Sequence, residues 1–170
     1  MPKPIRVFVH YVDLINKWVG RFAMQLIFVM AAVLMYSTLS RLIFGVPVNW
    51  ALEFSQFVLS AYYLLGGAYS MQADAHVRMD LFYSRWSPKT KAMVDAFTIL
   101  FVIFYLGVLF FGGWSSTEYA IAYKQKNYTS WAPLLWPVKV FMTIGIFLML
   151  LQAISNFFKD LAISRGRPIE

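Results

Sequence analysis

Residues 74–80 read "DAHVRMD" and bring Asp74, His76, Arg78 and Asp80 into one short stretch. Aspartate and histidine bind metals and move protons, and an arginine among them can hold a carboxylate or another anion. Their spacing of two would scatter these side chains around a helix but align them along an extended loop. A metal centre needs at least three convergent ligands in fixed geometry, which consecutive loop residues seldom supply. The expectation is therefore a turn in which Asp74 and Asp80 hold Arg78 while His76 caps nearby backbone. A second charged pair, Arg41 and Glu53, flanks "LIFGVPVNWAL". A cation at a helix C-terminus and an anion at the next N-terminus both suit the helix dipole. They would pair across that hairpin or meet a charge on a partner.

The elements that place these residues follow from composition. Hydrophobic residues make up 60% of the 170-residue chain and charged residues 14%, against roughly half and a quarter in a soluble domain. Four stretches of about 19–22 residues carry no charge: 22–40, 54–73, 96–117 and 140–158. Each is long enough to cross most or all of a hydrocarbon core of roughly 30 Å. The fold class expected is an all-α integral membrane protein with four spans, at about 22–44, 51–73, 88–119 and 137–159, in a single domain. The third, opened by Ser87 as cap and Pro88 at the first helical position, would outrun the membrane and tilt or project from it. Asn49 is the candidate cap of the second.

Of the 15 lysines and arginines, eleven lie before span 1, between spans 2 and 3, or after span 4, and four lie on the other side. The positive-inside rule then puts both termini in the cytoplasm. Trp18, Trp50, Trp86, Trp114, Trp131 and Trp136 all fall near span ends, where an indole can anchor at the headgroups. Within 4–20, Arg6, His10, Asp13, Lys17 and Arg21 share one helical face and Ile5, Phe8, Val12, Ile15 and Val19 another. Asp13 and Lys17 are spaced as an i,i+4 pair. This segment is expected to be an amphipathic helix, lying in the interface or packed on a partner.

Several function classes are excluded by what the spans lack. A net charge of +7 is accounted for by residues flanking the spans, so nucleic acid is not a partner. Membrane haem needs histidines within spans, but His10 and His76 lie outside them. Transporters normally hold ionisable groups at mid-membrane, and these spans hold none. Their polar residues, including Gln25, Gln56, Ser60, Gln72, Thr98 and Gln152, suit helix–helix hydrogen bonds, while Gly67 and Ala68 suit close packing. Glycine pairs 66–67 and 112–113 come without the prolines that mark broken transporter helices. No cofactor is expected.

With "NWALEF" opening span 2, "GGAYSMQADAHVRMDLFY" closing it and "WAPLLWPVKVFMTIGIFLMLLQ" leading through span 4, the chain resembles the small membrane subunit of tripartite ATP-independent periplasmic (TRAP) transporters. The likeness covers about residues 10–160. The chain departs from many relatives at Phe54, where they carry a second acid, and at Ala75, where they carry glycine. The resemblance implies a protein of a bacterial or archaeal inner membrane with two protein partners, besides the surrounding lipids. A periplasmic substrate-binding protein captures an organic acid anion, and a large membrane subunit imports it with sodium. The small subunit is then a non-catalytic brace, and sodium coupling resides in the large subunit. The competing readings are a membrane anchor for an enzyme complex and a self-sufficient small transporter.

Overall fold

The computed structural model of the chain describes residues 3–73 and 88–164. They form four helices: α1, Lys3–Phe44; α2, Asn49–Gln72; α3, Pro88–Ala122; and α4, Trp136–Ser164. Asp74, His76, Arg78, Asp80, Trp86 and Ser87 lie outside the described residues. Three helices are long and apolar enough to cross a membrane: α1 over Ile5–Phe44, α3 over Met93–Ala122 and α4 over Trp136–Ile163. The 24-residue α2 is not among them, because Ser55, Gln56, Ser60, Tyr62, Tyr63, Tyr69 and Ser70 dilute its apolar residues.

The segment 4–20, expected as an amphipathic helix, is continuous with the first span in α1, which runs unbroken for 42 residues, or about 63 Å. No proline interrupts the sequence between that segment and the apolar stretch. Its one glycine, Gly20, is used for packing. Gly45, in the left-handed region at φ +66, ends α1, and Pro47 prevents its resumption. The cap of α2 is Val48, with no side-chain bond. Asn49, expected as the cap, is instead the first helical residue, and this moves Glu53 beyond the first turn.

At the end of α3, Gln125 N–H bonds the Ala120 carbonyl at 3.1 Å and Lys124 N–H bonds that of Ile121 at 3.4 Å. This is a Schellman ending, with Lys124 at φ 48 in the position glycine usually takes. The chain then turns back on itself. Asn127 N–H bonds the Pro133 carbonyl at 3.0 Å and Leu135 N–H bonds that of Gln125 at 2.9 Å, which closes the loop before α4.

The helices pack as α1 on α2, α2 on α4 and α4 on α3, with α1 also reaching α4. The centre is therefore α2 and α4, flanked by α1 and α3. Many of the most completely buried apolar residues are alanines, including Ala51, Ala68, Ala120, Ala153 and Ala162. That suits a membrane bundle, where small residues allow backbones to approach and dispersion contacts hold them. Gly145 of α4 is one such approach: a Cβ there would lie 2.8 Å from the Leu64 Cβ and 2.9 Å from its carbonyl carbon. Gly20 of α1 meets the ring of Tyr69 in the same way.

Candidate functional site

Polar side chains converge where the first part of α1 crosses the ends of α2 and α4. In α1, Asp13 and Asn16 lie three residues apart on one face. In α4, Gln152, Ser155, Asn156 and Lys159 recur at i, i+3, i+4 and i+7, again one face. The Lys159 ammonium lies 2.6 Å from Asp13 Oδ2. Asp13 Oδ1 accepts from the Gln152 amide at 3.0 Å and from the Ser155 hydroxyl at 3.4 Å. Asn16 donates to Gln152 Oε1 at 2.6 Å.

Two further bonds bring in α2. Gln72 donates to the Asp13 backbone carbonyl at 3.2 Å, and Asn156 donates to the Met71 carbonyl at 3.2 Å. Gln152 also donates to Asn156 Oδ1 at 3.0 Å. Asn16, Gln152 and Ser155 are buried almost completely, while the two ionised residues keep 28% and 24% of their side-chain surface exposed. Charge thus sits at the wet rim and amides sit inside. Burying amides and a charge costs little only when their bonds are made, so the network fixes the register of three helices against each other. Asn16 Oδ1 and Gln72 Oε1 are buried with no partner among the described residues.

A smaller network joins α3 to α4 at the opposite end. The Thr117 and Thr143 hydroxyls are 2.9 Å apart, and Lys139 donates to Gln125 Oε1 at 2.8 Å and to the Ser116 carbonyl at 3.4 Å. These contacts tie α4 to α3 and to the loop that follows α3. Chemically, both networks spend most of their donors and acceptors within the bundle, Asn16 Oδ1 and Gln72 Oε1 being the exceptions among the described residues.

Arg41 occupies the last turn of α1 and is exposed. Glu53 is half-buried, and its Oε2 has no partner among the described residues. The structure does not bring these two together. Asp13 does not use Lys17, its expected i,i+4 partner, which is exposed; it uses Lys159, 146 positions away. Arg6, His10 and Arg21 are also exposed. Trp18, Trp50, Trp114, Trp131 and Trp136 all keep substantial exposure. The Trp50 and Trp131 rings, 6.5 Å apart, place the α1–α2 and α3–α4 connections at one end.

Sequence reasoning expected Gln72 and Gln152 to make interhelical bonds but did not single out Asn16, Ser155, Asn156 or Lys159. The available signal was the polar i, i+3, i+4, i+7 stripe at the end of α4, matched by Asp13 and Asn16 in α1.

A comparison of the chain with curated proteins returned no match. The family described as tripartite ATP-independent periplasmic transporters, DctQ component, matches over residues 11–163, from just before Asp13 to beyond Lys159 and so across the whole network. The chain belongs to this family and is a small membrane subunit of a tripartite ATP-independent periplasmic transporter.

Proposed function

We propose that this subunit is a non-catalytic brace for the large membrane subunit of a sodium-coupled importer of organic acid anions. A periplasmic binding protein delivers the substrate, and sodium coupling resides in the large subunit. The brace spans the inner membrane four times, α2 included, with both termini in the cytoplasm.

The observation that carries the reading is the use made of polar groups. Asp13 and Asn16 of α1 bond Gln152, Ser155 and Lys159 of α4, and Asn156 bonds the Met71 carbonyl of α2, instead of lining a path. Interior polar groups spent on fixing helix register make a stiff element, and stiffness is what a moving partner needs from its scaffold. The outward surfaces of α1 and α3 are large and apolar, as lipid or another membrane protein requires.

The test is co-purification of the large subunit with this chain from detergent-solubilised membranes. The brace reading expects a stable complex that Glu53→Gln weakens, because Glu53 carries a buried carboxylate oxygen that the described residues leave unmatched. A large subunit that never co-purifies with the wild-type chain contradicts the reading.

A further inference from the structure

One outward stripe of α1 changes character along its length. It runs through Lys17, Arg21, Met24, Phe28 and Met35 at steps of four, three, four and seven, which keeps one helical face. All five are exposed, Phe28 and Met35 about two-thirds so. The first two are cations and the other three are bulky and apolar. Neither Lys17 nor Arg21 makes an ion pair or side-chain hydrogen bond among the described residues, since Asp13 is taken by Lys159.

The packing of α1 fixes how deep these cations sit. Lys159 follows the charge-free stretch of α4 and Gln72 closes α2, and both meet α1 at Asp13. Asp13 therefore marks the rim of the bundle. Lys17 lies about 6 Å and Arg21 about 12 Å along α1 from that rim, toward the middle. The other helices set the same level. Gly20 meets Tyr69, and Ala23 packs with Leu65, Ala68 and Leu148, all within the stretches of α2 and α4 that carry no charge. An ionised group facing hydrocarbon at that level needs a counter-charge or a route to the surface. Helical side chains lean toward the helix N-terminus, and the N-terminus of α1 is at the rim, so both cations reach back toward the headgroups.

We infer that Lys17 and Arg21 hold the phosphate of an anionic phospholipid whose acyl chains lie along Met24, Phe28 and Met35. The stripe has the order of such a lipid from head to tail: charge at the rim, then apolar bulk toward the middle of the membrane. Two unpaired cations one turn apart select net negative charge. A zwitterionic headgroup brings its own cation back to the site, whereas an anionic one does not. A carboxylate on a neighbouring helix would have to be buried at this depth, while a phosphate is carried there by its own tails. The inference rests on the proposed crossing of the membrane by α2, which sets the level of Arg21.

Native mass spectrometry of the purified chain in detergent reads the site, with phosphatidylglycerol and phosphatidylcholine of the same acyl chains added in equal amounts. The wild-type chain is expected to retain phosphatidylglycerol preferentially. Lys17→Gln and Arg21→Gln are each expected to lower that preference about fivefold, the scale of one cation at a membrane surface. Lys124→Gln, which removes an exposed cation at the other end of the bundle, is expected to leave it unchanged. An equal loss in Lys124→Gln, or none in Arg21→Gln, overturns the site. So does a preference that vanishes once the large subunit is bound, which gives the cations to an acid of that subunit. The chain has no cysteine, so Tyr63→Cys, midway along α2, accepts one spin label that checks the crossing separately. In vesicles that label is expected to be open to oxygen and shielded from a water-soluble nickel chelate. Access to the chelate removes α2 from the membrane and the depth of Arg21 with it. A missing lipid preference beside a shielded label overturns the lipid site alone.

Discussion

Asp13 sits where three helices meet, and its carboxylate holds Lys159, Gln152 and Ser155 together. Removing it leaves an ammonium and an amide without their acceptor. Asp13→Asn and Lys159→Met are each expected to cost about 1–3 kcal/mol, less than a fully buried pair because both side chains are partly exposed. Thermal unfolding of the purified protein in detergent checks this, and the double variant should cost clearly less than the sum of the singles. Strict additivity would mean the two residues do not act on each other. Asp13 was visible in the sequence as part of a polar helical face. Its partner was not, because Lys159 is 146 positions away and only the packing of α1 against α4 selects it over the nearby Lys17. Asn16 was missed for a related reason: it lies beside a face drawn from charged residues and carries no charge itself.

At the scale of the helix, apolar length and breaker residues made most of the architecture legible. Pro88 opens α3 and Gly45 closes α1, and three spans follow from apolar length alone. Two features needed tertiary information. The division of α1 into an interfacial helix and a span was an inference from a change in composition, and the one glycine at the joint, Gly20, packs against Tyr69 without breaking the helix. Likewise, α2 owes its place in the bundle to contacts on two sides more than to apolar character. Gly145 is the tightest test of that placement, since Leu64 backbone lies where a side chain would go. Gly145→Val is expected to force α2 and α4 apart and to destabilise the protein by about 1–3 kcal/mol, seen as a lower unfolding temperature. Gly112→Ala, where nothing lies within 4 Å of a Cβ, serves as the control and should leave that temperature unchanged or raise it. A Gly145→Val protein as stable as the wild type would mean the helices do not approach so closely.

For the molecule as a whole, the proposed orientation rests on the charge distribution and the proposed role on the bundle. The ends of α2 and α4 and the start of α1 meet through the Asp13 network, so the two terminal helices share one side. With the cytoplasm on that side, Lys126→Cys should react with an impermeant thiol reagent added outside intact cells, and Lys17→Cys should react only after permeabilisation. The reverse pattern would invert the topology and leave the fold intact. The central claim is that this chain supports transport without performing it, and sodium-driven uptake in reconstituted vesicles tests it most directly. With the binding protein supplied, vesicles containing this chain and the large subunit should accumulate the organic anion. Vesicles containing this chain alone should accumulate none. Sodium-dependent uptake by this chain alone would contradict the account.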